Sequence, residues 1–301
     1  MNEHELIGVD WGTTNRRAYR LDASGALVDE RADNEGLLAA RGRFEVSLAE
    51  LLTSFDGADS QSPVLLSGMV GSAQGWKEAP YLDLETPLVE LPRRLVTVNA
   101  PTLARRCVIV PGYRSLAGGA VDVMRGEETQ LLGAVALGHR SGWFVLPGTH
   151  SKWVQIEEGR ILQFATYLTG ELFGLLGQHG TLASVLAAPQ VHDDGAFADG
   201  VRAAGDGALS HALFGVRARV VARQAPAEHA VAYLSGLLIG AEWADVRRRN
   251  AGALPEQVIA LGTPALAQRH AQAAQLTGVT LTPLDAREAY VAALGLLRAA
   301  L

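Results

Sequence analysis

Apolar and polar positions fall into pattern from the start: Leu6, Ile7 and Val9 lead into Asp10, and the stretch predicts a strand from Leu6 to Asp10. A turn at Gly12-Thr13-Thr14, a strand from Arg17 to Leu21, a turn at Asp22-Ala23-Ser24-Gly25 and a strand from Ala26 to Glu30 complete a three-strand meander. A similar pattern begins at Trp143, with a strand to Leu146, the turn Pro147-Gly148-Thr149-His150, a strand from Lys152 to Ile156, the turn Glu157-Glu158-Gly159 and a strand from Arg160 to Tyr167. Laying Gly12-Thr13-Thr14-Asn15 over Gly148-Thr149-His150-Ser151 sets Arg16 over Lys152 and Asp10 over Leu146, with Gly25 and Gly159 nearly in register. A repeat at half-chain spacing predicts two related α/β lobes, over residues 1–138 and 139–301.

Between the meanders the pattern predicts a helix over Phe44 to Phe55, an apolar strand at Val64-Leu65-Leu66, a strand at Val108 to Val110 and a helix from Glu127 to Leu137. Amphipathic helices follow around Leu172 to Leu186 and over Ala230 to Arg248, the latter closing on Arg247-Arg248-Arg249, a solvated basic cap. The tail reads as strand Val258 to Leu261, a helix from Pro264 to Gln275 capped by Thr263, strand Val279 to Leu281 and a helix from Ala286 to Ala300.

Composition narrows the partners. With 301 residues, 48% of them hydrophobic, the chain can bury two packed lobes and is not a disordered polymer. A net charge of -6 without a run of five Lys or Arg argues against nucleic acid or an anionic membrane surface, while leaving room for a small anion bound locally. Cys107, the only cysteine, lies in the apolar run Cys107-Val108-Ile109-Val110, which excludes an intrachain disulfide and predicts a buried structural thiol. The opening MNEHELIGVD carries acidic residues where a leader would carry basic ones, and no apolar segment approaches bilayer-spanning length, so a cytoplasmic enzyme is expected. A homodimer stays open as its assembly.

The chemistry gathers at the turns. Phosphoryl transfer needs backbone N–H groups close to phosphate oxygens, a carboxylate for a magnesium shell and a base for the attacking hydroxyl. Asp10 ends an apolar strand, where a buried carboxylate is costly unless paired or near a cation; Gly12 allows a tight turn, and Thr13 and Thr14 offer hydroxyls. A plain hairpin with Asp10 capping its turn has the same spacing, but a second glycine-threonine turn at Gly148-Thr149 makes the pair far more specific than either half. His150 reads as a phosphate or structural donor, since no second His stands at metal-ligand spacing, and Lys152 as either a ligand contact or a solvated strand residue. Glu127 and Glu128 open a helix, where the positive end of the dipole favours a carboxylate held as base; Asp122 lies close by, and simple helix-start charge is the plain alternative. Ser67, Met69, Gly71, Ser72, Gln74 and Trp76 follow a buried strand and mix hydroxyls, an amide and an aromatic face, which suits a polar sugar acid. Gly262-Thr263 opens a late helix, a seat for adenosine or a routine cap. Arg17 and Arg125 can meet substrate carboxylate or phosphate charge.

The segments DWGTTNRRAYRLD, SGMVGSAQGW, VDVMRGEETQLLG, LPGTHSKWV and LGTPALAQR, in that order over essentially the whole chain, resemble the 2-dehydro-3-deoxygalactonokinase family. The resemblance implies the fold of the sugar kinase, actin and chaperone ATPase superfamily, two duplicated actin-like (ribonuclease H-like) lobes with ATP and sugar acid meeting in a cleft. It implies phosphorylation of 2-dehydro-3-deoxy-D-galactonate at its 6-hydroxyl, in D-galactonate catabolism, with ATP and Mg2+. Asp10, Gly12, Thr13 and Thr14 resemble the first phosphate motif, with Asp10 toward the metal, directly or through water; Gly148 and Thr149 resemble the second, and Gly262 and Thr263 the adenosine motif, where Thr263 replaces a usual glycine. Related glycerol and xylulose kinases place a catalytic Asp after a glycine at a helix start, which corresponds to Glu127 after Gly126, with Glu128 and then Asp122 as further candidates. The rivals are a kinase for another sugar acid or polyol, such as 2-keto-3-deoxygluconate, and a non-catalytic ATP-binding scaffold of the actin type. A hydride-transfer enzyme is disfavoured, because the first glycine turn leads into a strand and opens no G-x-G-x-x-G helix.

Overall fold

The structure, a computed structural model, describes residues 5–55, 57, 59, 61–116, 121–205 and 207–301. Two compact units divide the chain, one formed by residues 1–141, 155–164 and 286–301, the other by residues 142–154 and 165–285. Residues 286–301, expected in the C-terminal lobe, are thus counted with the N-terminal one.

In the first unit the meander forms as β1 (Leu6–Trp11), β2 (Arg16–Leu21) and β3 (Leu27–Asp33), antiparallel throughout. A short helix α1 (Leu37–Ala40) and α2 (Phe44–Thr53) lead to β4 (Val64–Gly68), which pairs with β1 in parallel. Then come β5 (Leu82–Asp83), β6 (Val96–Val98), β7 (Cys107–Ile109), β8 (Tyr113–Ser115), β9 (Asp122–Met124) and α3 (Glu127–Ala136). The main sheet has the order β3-β2-β1-β4-β7-β6, and β5-β8-β9 make a small one. β1, β4 and β7 read as continuous apolar runs because parallel strands inside a sheet are buried on both faces. Trp11 anchors one side of that core, edge-on to Phe44 at 5.8 Å. Arg16 is buried beside it, its Nε on the Asp33 carboxylate at 2.9 Å and its Nη1 on Ser47 Oγ at 2.9 Å, so this arginine is a structural tie. Cys107 is buried as expected, and burial pushes its thiol up to about 11.

The second sheet repeats the arrangement. β10 (Gly142–Leu146), β11 (Ser151–Glu157) and β12 (Arg160–Tyr167) are followed by helices α4 (Thr169–Gln178), α5 (Gly180–Leu186), α6 (Asp194–Ala203), α7 (Leu209–Val221) and α8 (Ala230–Arg249). β13 (Gln257–Gly262), α9 (Pro264–Thr277), β14 (Thr280–Asp285) and α10 (Ala286–Leu297) close the chain. The order β12-β11-β10-β13-β14 matches β3-β2-β1-β4-β7 strand for strand, with β10-β13 and β13-β14 parallel as β1-β4 and β4-β7 are. The duplication read from the two turns is therefore a duplication of topology.

Departures are local and have physical causes. The helix expected around Leu172 to Leu186 is two, broken where Gly180 takes φ +75°. Helices α6 and α7 were not foreseen: α6 looks broken by its glycines, yet Gly200 lies against the Tyr233 carbonyl and Gly236 of α8 against the Phe197 carbonyl, so the two helices approach closely because both lack a Cβ there. Thr263 stands at the N-cap position of α9, but its side chain makes no capping hydrogen bond, and Pro264 alone marks the start. Among the described residues, no helix is long and apolar enough to cross a membrane.

Candidate active site

In the first unit, the ends of β1 and β4 and the start of α3 converge through two glycines. Gly68 has φ +84°, and a Cβ on it would lie 2.7 Å from the Trp11 carbonyl oxygen and 3.4 Å from Asp10 Oδ1; Gly126 has φ +114°, and its Cβ would lie 3.3 Å from Gly68 Cα. A side chain at Gly68 would crowd the end of β1 at Trp11 and Asp10, and one at Gly126 would crowd the backbone of Gly68. Asp10 itself pairs with Arg17 on β2 and with Ser67 on β4. Its carboxyl is pushed up to about 6, first by burial and then by the negative charge of Glu127, while Arg17 draws it down.

The two helix-start carboxylates part company here. Glu128 is fully buried, accepts from Gly126 N–H at 2.7 Å and takes the Thr129 hydroxyl at 3.3 Å. It closes the helix start from inside, and burial, then Glu127, pushes it up to about 8. Glu127 is half-buried, accepts from the Arg125 N–H at 3.1 Å and bears on Asp10. Asp122 lies instead on β9, opposite Ser115, and accepts from the N–H of Val123. Replacing Glu128 by Gln isolates its buried charge. Its folded value lies above the 4.5 of the free side chain, so wild-type stability falls as pH rises from about 4.5 through 8. The E128Q variant is expected to match wild type to within about 1 kcal/mol near pH 5 and to be more stable by about 4 kcal/mol near pH 9. Thermal melts at the two pH values check this, and equal pH dependence in both proteins would refute it.

The loop after β4 folds back on itself, Trp76 N–H donating to the Val70 carbonyl at 2.9 Å. Ser67, expected at the substrate, is fully buried and shares a 2.8 Å hydrogen bond with Tyr290, so it supports the site from beneath. Met69 and Trp76 pack against the core, Trp76 stacked on Phe44 at 6.5 Å. Gln74 is exposed, and with Trp76 it lines a groove that also holds Arg41 and Arg43. Ser72 Oγ has no hydrogen-bond partner among the described residues. Gly71 packs on Ile109 and on Arg125, whose guanidinium donates to the Ala79 carbonyl at 2.8 Å and lies 4.2 Å from the centre of the Tyr81 ring. Thr13 and Thr14 are exposed, while the carbonyls of Gly12, Thr13 and Thr14 accept from Leu37, Leu38 and Gly36 N–H, which fixes the turn.

In the second unit the turn at 147–150 is held by the start of α4, a segment the sequence did not single out. Glu171 N–H donates to the Thr149 carbonyl at 3.0 Å, Gly170 lies against the Gly148 carbonyl, and His150 Nε2 meets the Glu171 carboxylate at 2.6 Å. His150 thus has a structural partner, and Lys152 is buried where a solvated strand residue was one of the expectations. Gly262 packs on Pro147, 3.1 Å from where its Cβ would be. Beside the turn is a cavity of about 420 Å³, walled by Phe173, Leu238 and Ile239 and by the polar Gln190, Arg269 and His270. Gly262 and Thr263 are not among its lining residues, whereas Ala265 and Leu266 of the next helical turn are. Glu242 was also missed; a lone carboxylate in the apolar stretch Leu237-Leu238-Ile239-Gly240-Ala241-Glu242-Trp243 was the available signal.

Among the described residues, no group of three or more His, Cys, Asp or Glu is placed to hold a metal. Magnesium in nucleotide sites needs only one or two carboxylates beside the phosphates, and Asp10, strained toward protonation by burial and by Glu127, fits that need, since a cation relieves both.

A sequence profile described as 2-keto-3-deoxy-galactonokinase matches residues 10–298. A 2-dehydro-3-deoxygalactonokinase from Escherichia coli (strain K12) is 38% identical over 288 residues, 95% of this chain and 94% of that protein. A crystal structure of a candidate 2-dehydro-3-deoxygalactonokinase from Sinorhizobium meliloti superposes with a TM-score of 0.88 at 36% identity, covering 98% of this chain and 95% of that one. A ligand-bound xylulose kinase from Lactobacillus acidophilus, at 10% identity and a TM-score of 0.53 over 98% of this chain and 89% of that one, shares the fold. With its match running from Asp10 to Arg298 and these relatives alike over almost their full length, the chain belongs to the 2-keto-3-deoxy-galactonokinase family.

Proposed function

We propose that the protein transfers the γ-phosphate of ATP to the 6-hydroxyl of 2-dehydro-3-deoxy-D-galactonate, a step of D-galactonate catabolism, in the cytoplasm. The observation that carries the proposal is the meeting of Asp10 with Glu127 at the end of β1 and the start of α3, where one carboxylate orients phosphate and cation and the other takes a proton.

In this reading the first unit holds the acceptor and the base. Glu127 removes the hydroxyl proton as the oxygen attacks in line, and Glu128, turned inward, keeps the helix start in place. Gly12, Thr13, Thr14 and Arg17 meet phosphate oxygens, and Met69, Gly71, Ser72, Gln74 and Arg125 surround the sugar acid, with Ser67 beneath them and Trp76 backing the loop through its stack on Phe44. Asp10 would hold magnesium, which when bound would supply charge to offset that of the transferred group. The second unit seats the nucleotide: Gly148, Thr149 and His150 at the phosphates, Gly262 and Thr263 with the adjoining cavity at the adenosine.

The test is ADP release from magnesium-ATP with a panel of 2-keto-3-deoxy sugar acids and polyols. Turnover at least tenfold higher in kcat/KM on the galactonate-derived acid is the expected result, a difference of about 1.4 kcal/mol in transition-state binding. A preference for the gluconate epimer or for a polyol would reassign the acceptor, and ATP binding without acceptor-dependent turnover would favour the scaffold. Sedimentation separates the monomer from the homodimer left open above.

A further inference from the structure

Glu242 is 1% exposed, deep on the apolar face of α8, yet no oxygen of its carboxylate is idle. Oε2 accepts from Ser151 Oγ at 2.9 Å and from Trp153 Nε1 at 2.7 Å, and Oε1 accepts from the Thr169 hydroxyl. These donors come from two segments only. Ser151 and Trp153 lie on β11, directly after the turn 147–150, and Thr169 opens α4, whose next two residues, Gly170 and Glu171, press on and bond to Gly148 and Thr149. The same carboxylate also lines the cavity beside the turn.

We propose that Glu242 is a positioning residue for nucleotide binding, which sets the phosphate turn by holding its exit strand and the start of α4 at a fixed separation. The inference rests on the assignment of that turn and cavity to ATP. Its donors come from the strand that leaves the turn and from the helix start that packs on it, so one carboxylate ties both supports of the turn together. A buried carboxylate also carries a desolvation cost that an apolar residue in α8 would avoid. Burial pushes this carboxyl up to about 7, so a glutamine resembles the form it holds on the acid side of that value. An amide retains an acceptor for Ser151 and Trp153 and turns its NH2 to Thr169, whose hydroxyl can accept.

The experiment measures the Kd of a non-hydrolysable ATP analogue with magnesium by calorimetry, without acceptor, beside the KM of the sugar acid and the melting temperature. Glu242→Leu is expected to weaken nucleotide binding about thirtyfold and Thr169→Val about fivefold, the range for lost buried hydrogen bonds, with the sugar-acid KM changed by less than about twofold. Glu242→Gln is expected to recover most of the loss, to within about threefold of wild type. If Glu242→Leu does not fold, Thr169→Val and its double variant with Glu242→Gln carry the test: the expected loss in the double variant is less than the product of the two single losses. A lower melting temperature with unchanged nucleotide Kd in Thr169→Val and Glu242→Leu would overturn the proposal and leave Glu242 a brace. A wild type that binds no ATP analogue would overturn the assignment of the turn, and this inference with it.

Discussion

Replacing Glu127 by Gln lowers kcat by roughly a thousandfold, within the range that a positioned general base contributes, and leaves nucleotide affinity within a few-fold of wild type. The amide keeps the size of the side chain and its acceptor for the Arg125 N–H, so the loss isolates proton transfer. A second consequence separates this variant from mere distortion. The charge of Glu127 helps to hold the Asp10 carboxyl up at about 6, and without it Asp10 ionises at lower pH. The acid limb of the pH dependence of magnesium-ATP binding should therefore move to lower pH in E127Q. A kcat within tenfold of wild type, or a larger loss in E128Q than in E127Q, would move the base to another carboxylate.

The largest expected loss of stability follows from Gly133→Ala. Gly133 lies in the middle of α3, where alanine ordinarily gains up to about 1 kcal/mol of helix propensity. Here its Cβ would fall on the Ala289 carbonyl of α10, a rigid backbone atom that cannot rotate away. The helices must part, at an expected cost of about 3 kcal/mol or more, and because α3 carries Glu127 at its start, kcat falls with stability. Gly295→Ala on α10 is the control: nothing lies within 4 Å of its added Cβ, so the propensity gain appears uncancelled, at up to about 1 kcal/mol. Urea unfolding of the two variants should change in opposite directions. Equal midpoints would mean that α3 and α10 do not touch through backbone.

Much of this architecture was legible because hairpins announce themselves. Gly12 and Gly148 stand between runs whose apolar positions are clear, and the two meanders by themselves imply the duplicated sheet. Spacing and family resemblance singled out Asp10 and put Glu127 ahead of Glu128. That Glu128 turns inward while Glu127 bears on Asp10 depends on how Gly126, at φ +114°, aims the first helical turn, which spacing does not carry. Ser67 and Trp76 carry chemistry suited to a sugar, but the fold turns the first onto Tyr290 and stacks the second on Phe44, contacts made by residues far apart in the chain. Helix α6 was hidden because glycine reads as a breaker, while Gly200 serves a close helix crossing. Strands β5, β8 and β9, two or three residues long, are too short for any period to register.

Residues 286–301 belong to the unit that residues 1–141 begin. Leu294 occupies the space above Gly8, Tyr290 reaches Ser67, and Arg298 donates to the Asp22 carbonyl at 2.8 Å. On the ribosome, the N-terminal sheet therefore emerges without one wall of its core and waits while the whole second unit is synthesised. At ordinary elongation rates that interval is on the order of ten seconds, long enough for the uncovered faces of β1 and β4 to be met by a chaperone before their own C-terminal helix arrives.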